Sequence, residues 1–169
     1  MGVKLLRFPH KRIRAQVIKQ YMKQAGQTRA VCFSCGNAAD ELEKAGVDVL
    51  HIGAHGVLAP NKWFTQAEIK HTFPDYFDAT SGHLPMELMV ALGQAYAAHL
   101  GALPETVYVP SGSGETVVCL KLAYPDTHFV AVYNIDDATA FSPYCPLNAL
   151  VRLLCDDILF DGRADLKSG

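Results

Sequence analysis

The chain lacks the features that mark several large classes of protein. Its 169 residues carry a net charge of −2, so it has no excess of basic residues of the kind that binds nucleic acid. No apolar run approaches the roughly 20 residues that a membrane-spanning helix needs. The apolar stretch near the basic N-terminus is too short for a secretory signal peptide. We therefore expect a cytoplasmic protein that binds neither nucleic acid nor membrane.

Cysteine is scarce, and its count of five is odd. Without a secretory signal, an odd count argues against a disulfide framework and indicates a reducing compartment. Cys32 and Cys35 form a C-x-x-C motif, in which we expect Cys32 to face inward from a strand. A redox pair or a zinc site is the alternative. The histidines are expected to be ordinary loop residues, with a metal or acid–base cluster as the alternative, and we expect no metal. The histidines concerned are His51, His55, His71 and His83.

Half of the residues are apolar and 19% are charged, a balance that predicts a packed core. Helical patterns and short β-rich runs alternate along the chain. This alternation predicts an α/β fold with a mostly parallel sheet and flanking helices in three layers. We expect a single compact domain over residues 1–160, which could divide into lobes at 12–55 and 86–160. Residues 161–169 are expected to be a flexible tail.

Individual elements follow from periodicity and from glycine and proline positions. Helices are predicted over 12–25, 38–46, 86–100, 116–124 and 146–160. Strands are predicted over 29–34, 47–52, 106–110 and 128–135. The segment 53–85 is expected to be mostly irregular, with a short helix near residues 65–71. A long segment of this kind is typical of a functional loop or a connection between lobes.

The clearest local signal for chemistry is VYVPSGSGETVVCL, a strand followed by a glycine-rich turn and a helix. Glycines let the backbone approach an anion, and the unpaired N–H groups at the helix start point toward it. The hydroxyls of Ser111, Ser113 and Thr116 can add hydrogen bonds. No lysine follows the second glycine, so the turn is not a Walker A loop. The pattern predicts a phosphate site, and glycine needed only for packing is the alternative.

Two further signals come earlier in the chain. FSCGNAADEL places Asn37 in a turn between a strand and a helix, at the edge where open α/β sheets bind ligands. A simple helix cap is the alternative for Asn37. PHKRIR places Lys11 near a helix start, where a buried amine can form a Schiff base. An ordinary surface lysine is the alternative for Lys11.

In this order, the three signals resemble the fold type II pyridoxal-phosphate enzymes, a superfamily that includes tryptophan synthase β, cysteine synthase and threonine dehydratase. The resemblance covers roughly residues 9–135. It implies a reduced tryptophan synthase β-like fold with pyridoxal 5′-phosphate as the cofactor. The implied activity is β-elimination, deamination or β-replacement on a small amino acid. Because the end of a shortened sheet would need to be covered, we also expect a homodimer.

The resemblance assigns roles by position. Lys11 matches the Schiff-base lysine, which also acts as the base at the substrate α-carbon. The run from Ser34 to Asn37 matches the loop that contacts the cofactor's phenolic oxygen and the substrate carboxylate. The implied cofactor-binding residues are Ser34, Asn37, Gly112, Ser113, Gly114 and Thr116.

Glu115 stands where the family has a glycine. A carboxylate beside a phosphate is unfavourable unless it points away or pairs with a cation. The stretch between Asn37 and Gly112 is also shorter than in the family. A non-catalytic protein of the same ancestry, which binds a phosphate-bearing small molecule or a protein partner, is therefore the alternative function.

Overall fold

The computed structural model describes residues 6–33, 38–53, 64–133, 147–155 and 157–160. Helices and strands alternate, which confirms the predicted α/β class. The described helices are α1 (His10–Gln24), α2 (Ala38–Lys44), α3 (Gln66–Thr72), α4 (Met86–Leu100), α5 (Glu115–Ala123) and α6 (Leu147–Leu154). The described strands are β1 (Arg29–Phe33), β2 (Asp48–Ile52), β3 (Phe77–Asp78), β4 (Thr106–Ser111), β5 (His128–Tyr133) and β6 (Asp157–Phe160).

The described strands form two small sheets. The first has the order β2-β1-β3 and the second has the order β4-β5-β6. Every described strand pair is parallel, as predicted. Helix α2 connects β1 to β2, and α5 connects β4 to β5, so each sheet contains a βαβ unit. The division of the chain into one domain or two lobes stays a prediction.

Side chains of β1 alternate between two apolar clusters, as the period of a strand requires. Ala30 and Cys32 face the main core, which they share with the helices and with one face of the second sheet. Val31 and Phe33 face the opposite side, where they pack with a smaller cluster that includes Ile69 of α3. Cys32 is buried, so the expectation that it faces inward from a strand is confirmed.

Helices α1, α4 and α5 pack around the main core. Helix α4 lies close to α5 at Gly93, where an added Cβ would lie 2.3 Å from the carbonyl oxygen of Cys119. Only a glycine lets two backbones come this close. Among the described residues, no helix is long and apolar enough to cross a membrane.

The segment 53–85 contains more regular structure than we expected. The short helix predicted near residues 65–71 is α3, and Thr65 and Glu68 close its first turn with a reciprocal capping box. The two-residue strand β3 was not predicted, because two residues carry no measurable period. β3 adds to the first sheet by pairing with β1.

The prediction of one helix over 146–160 is wrong at its C-terminal end. Helix α6 ends at Leu154, and Asp157–Phe160 form β6 instead, paired in parallel with β5. A short apolar run such as DILF does not distinguish a helix from a strand by its period. Hydrogen bonding to β5 stabilises the extended form. The predicted tail at 161–169 lies outside the described residues.

Candidate functional site

The carboxyl ends of strands from both sheets meet in one region. β1 and β3 are parallel neighbours, so the segments that follow them leave the same edge of the first sheet. The segment after β3 reaches the β4–α5 turn of the second sheet. There the N–H of Gly82 donates to Oε1 of Glu115 at 3.4 Å. A Cβ added to Gly82 would lie 3.8 Å from Cβ of Ser113.

A buried ion pair lies at the centre of this region. The Nε of Arg14 in α1 donates to Oε2 of Glu115 at 2.6 Å, and a second guanidinium nitrogen donates to Oε1 at 3.2 Å. That second nitrogen also donates to the carbonyl oxygen of Ala79 at 2.8 Å. Both charged side chains are only 4% exposed. The pair therefore ties α1, α5 and the segment after β3 together, and it compensates the Glu115 charge.

This pair determines the electrostatics of the core around it. Burial alone lowers the pKa of Arg14, but the charge and hydrogen bonds of Glu115 raise that pKa above its ordinary value. Burial raises the pKa of the Tyr96 phenol and of the Cys119 thiol well above their ordinary values, and the Glu115 carboxylate raises both further. Tyr96 and Cys119 are therefore neutral at physiological pH, and Arg14 is always charged.

The β4–α5 turn has the geometry expected of a glycine-rich strand-to-helix turn. Gly114 is the N-cap of α5, and its φ of +85° lies in the left-handed region that favours glycine. The Ser113 hydroxyl oxygen accepts a hydrogen bond from the Glu115 N–H at 3.3 Å. Gly112 is exposed, and among the described residues a Cβ added there would meet nothing within 4 Å. The turn lies at the start of a helix, where an anion is favoured.

The hydroxyls of this turn differ in their availability. Ser111 is buried and donates its hydroxyl proton to the carbonyl oxygen of Val109 at 3.1 Å. The structure therefore does not present Ser111 toward an anion. Ser113 and Thr116 are half-buried, and the Ser113 hydroxyl keeps its proton for donation. Of the three serine and threonine side chains considered from the sequence, Ser113 and Thr116 are the ones that remain suitable.

Lys11 lies in the first turn of α1 and is half-buried. It precedes Arg14 by three residues, a spacing that places two side chains on neighbouring positions of one helix face. Its other basic neighbour, Arg12, is exposed. Lys11 is therefore one helical turn from the ion pair that connects α1 to the β4–α5 turn. Ser34 and Asn37, the other predicted cofactor contacts, lie outside the described residues.

A polar cluster that was not predicted lies in the segment after β3. The Thr80 hydroxyl lies 2.5 Å from Oδ1 of Asp78 and 2.6 Å from Nδ1 of His83. Because an ionised carboxylate only accepts, Thr80 donates to Asp78 and accepts from His83, which puts the imidazole proton on Nδ1. Nε2 of His83 is buried and has no hydrogen-bond partner among the described residues. The only local signal was the polar run DATSGH.

A cavity of about 470 Å³ lies beside this cluster, between α3 and the segment around β3. Its volume is in the range of small-molecule sites. The lining includes Gln66, Lys70, Phe73, Tyr76, Asp78 and His83. None of the described residues that were predicted to bind the cofactor lines this cavity.

The histidines do not gather into a cluster in the part of the chain that the structure describes. His51 contacts Glu43 at 2.8 Å, His71 is exposed on α3, and His83 is held by Asp78 and Thr80. Among the described residues, no group of three or more His, Cys, Asp or Glu side chains could hold a metal ion. His55 and Cys35 lie outside the described residues.

Comparisons with known proteins add no relative. No protein-family model matches the chain, and it matches no curated protein and no solved structure.

Proposed function

We propose that the chain is a pyridoxal-phosphate-dependent enzyme of fold type II ancestry that acts as a lyase, deaminase or β-replacing enzyme on a small amino acid. The observation that carries this proposal is the Arg14–Glu115 ion pair, with its 2.6 Å contact. It joins the helix that bears Lys11 to the turn proposed to hold the phosphate. Residues more than 100 positions apart are thereby brought into one region, as such a site requires.

The described residues fit a phosphate group at the β4–α5 turn. Gly112 is exposed, and α5 begins immediately after Gly114. Glu115 was the main chemical objection to an anion at this position. Because its carboxylate is buried against Arg14, its charge is compensated and directed away from the exposed side of the turn. Glu115 therefore pairs with a cation, and this is one of the two conditions under which a carboxylate can lie beside a phosphate.

Each residue of the proposed site would have its own role. When bound, pyridoxal phosphate supplies an aldehyde that condenses with an amine and a conjugated ring that accepts charge from a substrate α-carbon. Lys11 is proposed as the amine and as the group that moves the proton at that carbon. The hydroxyls of Ser113 and Thr116 and the first N–H groups of α5 would hold the phosphate. Asn37 is proposed to hold the substrate carboxylate or the phenolic oxygen.

The proposal also covers the finer identity of the fold. Two parallel three-stranded sheets, with α1 and the β4–α5 turn brought together, support a reduced tryptophan synthase β-like arrangement. The homodimer is likewise a proposal. Sedimentation of the purified protein measures its mass in solution, and a stable monomer would contradict the homodimer.

The decisive experiment asks which lysine reacts with the cofactor. The protein is mixed with pyridoxal phosphate, reduced with borohydride and digested. Mass spectrometry of the peptides then identifies the modified lysines. We expect one dominant adduct on Lys11 and a visible absorbance band, both lost in Lys11→Ala. Lys23→Ala is the matched control, because Lys23 is an exposed lysine in the last turn of the same helix. Adducts spread over surface lysines without preference for Lys11 would refute the proposal.

A second probe separates the catalytic proposal from its non-catalytic alternative. Pyridoxine phosphate carries the same ring and phosphate but no aldehyde, so it reports binding without reaction at a lysine. Shifts of the amide resonances of residues 112–116 on addition of pyridoxine phosphate, together with no adduct on Lys11 after treatment with pyridoxal phosphate, would favour a protein that binds phosphate-bearing small molecules. Shifts at 112–116 and an adduct on Lys11 would both be expected of the enzyme.

A further inference from the structure

The Arg14–Glu115 pair connects three segments that are distant in the chain. Arg14 belongs to α1, Glu115 is the first residue of α5, and the carbonyl of Ala79 and the N–H of Gly82 belong to the segment after β3. Four hydrogen bonds of 2.6 to 3.4 Å hold these groups. A guanidinium fork and a carboxylate bind in a fixed plane, so the pair fixes orientation as well as distance.

Stability alone is a poor explanation for such a pair. Removing two charges from water is costly, and apolar side chains of similar volume usually stabilise a core as well or better. The surrounding core is apolar, and Tyr96 and Leu92 of α4, both fully buried, show that it accommodates large side chains. What a buried ion pair adds over apolar packing is direction.

The direction that it fixes is that of the first turn of α1. Lys11 lies three residues before Arg14, a rise of about 4.5 Å along the helix axis. Holding the Arg14 guanidinium against Glu115 therefore sets the rotation and the axial position of the turn that carries Lys11. The same contact sets where α5 begins, and with it the position of the turn at residues 112–114.

We propose that Arg14 and Glu115 are a positioning pair, which holds Lys11 of α1 at a fixed place relative to the β4–α5 turn. This inference rests on the proposed function, because it assigns to the pair a role in the reaction of Lys11. The pair touches neither the cofactor nor the substrate in this role. It acts through Lys11 on one side and through the start of α5 on the other.

The test separates reaction at Lys11 from binding at the turn and from stability. The variants are Arg14→Lys, which keeps the charge but loses the planar fork, and Glu115→Gln, which keeps the size but loses the charge. Three quantities are measured for each: the rate of borohydride-trapped adduct formation on Lys11 per folded molecule, the affinity for pyridoxine phosphate, and the melting temperature. Arg12→Lys is the matched control, since Arg12 is an exposed arginine in the same turn of α1.

We expect Arg14→Lys to lower the rate of adduct formation on Lys11 by about tenfold or more, because small misplacements of a reacting group cost factors of this size. Its affinity for pyridoxine phosphate should fall less than this rate, because the hydroxyls and N–H groups that would hold the phosphate belong to the turn itself. Glu115→Gln should lower the rate as well. Arg12→Lys should change none of the three quantities.

The outcomes are distinguishable. If either variant melts at a lower temperature but its folded molecules react at Lys11 as fast as the unmodified chain, the pair is structural only and the positioning role is refuted. If neither variant folds, the double variant Arg14→Gln with Glu115→Gln, which retains hydrogen bonding without charge, gives the same comparison. If the unmodified chain forms no adduct on Lys11, the proposed function itself fails, and the positioning role fails with it.

Discussion

Two of the helices that contact α5 hold it in different ways. Toward α4 the contact is largely apolar, with hydrogen bonds from the Tyr124 hydroxyl at its end. It is so close that a Cβ at Gly93 would lie 2.3 Å from a carbonyl oxygen of α5. Toward α1 the contact is the buried ion pair of Arg14 and Glu115. Apolar packing is strong but has no preferred direction, whereas an ion pair gains little net stability and has a fixed geometry. We infer that packing against α4 mainly stabilises α5 and that the ion pair with α1 mainly orients it.

The largest expected effect on the free energy of unfolding comes from breaking the ion pair of Arg14 and Glu115. Glu115→Leu leaves the Arg14 guanidinium buried without its counter-charge, which should cost about 3–5 kcal/mol of the free energy of unfolding. Urea denaturation measures this cost. The double variant Arg14→Met with Glu115→Leu should regain part of the loss, because no charge is then buried. The recovery is incomplete, since the carbonyl of Ala79 also loses its donor. A double variant as unstable as the single one would show that the pair stabilises the fold, which would overturn the comparison.

The next largest effect on the free energy of unfolding comes from the contact between α4 and α5. Gly93→Ala forces a methyl group against the backbone of α5, and overpacking of this kind costs about 1–3 kcal/mol. Alanine otherwise favours a helix over glycine, so any net loss reports the clash. Gly112→Ala is the control for stability, because a Cβ there meets nothing within 4 Å in the part of the chain that the structure describes, and it should change the free energy of unfolding by less than about 0.5 kcal/mol. If Gly93→Ala unfolds at the urea concentration of the unmodified chain, the two helices separate easily and α4 does not fix α5.

The sequence predicts a helix or strand well where the apolar period is clear and a proline or glycine marks each end. The predicted bounds of α4 match the structure, because Pro85 precedes it and Gly101, with a φ of +70°, ends it. β6 shows the opposite case. Its four residues have no distinct period, and their extended form depends on pairing with β5, more than 20 residues earlier in the chain. Local sequence does not contain that partner.

The same division applies to the site. The glycine-rich turn and the lysine at a helix start are local patterns, and both lie on the predicted elements. The chemistry of Glu115 was predictable as a requirement: a carboxylate at that place needs a cation or another direction. Its partner was not predictable, because Arg14 lies 101 positions away. The cluster of Asp78, Thr80 and His83 forms where β3 ends. It was not predictable, because a two-residue strand has no measurable period in the sequence.

A smaller effect concerns His10 at the start of α1, which should make the free energy of unfolding depend on pH. Burial is the main reason that the pKa of His10 is lowered from 6.5, while its hydrogen bond to Phe8 partly raises it. Below pH 6.5 the unfolded chain therefore binds this proton more readily than the folded protein does. The free energy of unfolding should fall as the pH drops from 6.5 toward the lowered pKa, by at most about 1.4 kcal/mol per pH unit.

The measurement is urea denaturation of the unmodified chain and of His10→Gln from neutral pH to about pH 5. His10→Gln should lose part of the pH dependence. His128→Gln should retain it, because His128 lies on β5, away from α1, and is 43% exposed in its side chain. An unchanged pH dependence in His10→Gln would mean that His10 is protonated as easily in the folded protein as in the unfolded chain.

The smallest effect concerns the contact between α1 and α4, which closes the triangle of helices. The Tyr21 hydroxyl donates to Oε1 of Glu87 at 2.6 Å on the protein surface. This hydrogen bond is the main reason that the pKa of Tyr21 is raised. Glu87→Gln should return the pKa of Tyr21 toward its ordinary value, which ultraviolet titration of the phenolate detects. Tyr124, whose pKa is raised by burial, should titrate as before. Tyr21→Phe should cost at most about 1 kcal/mol, since an exposed hydrogen bond exchanges with water. A larger cost would mean that α4 also orients α1 through polar contacts, and the separation between a packing neighbour and an orienting neighbour would no longer hold.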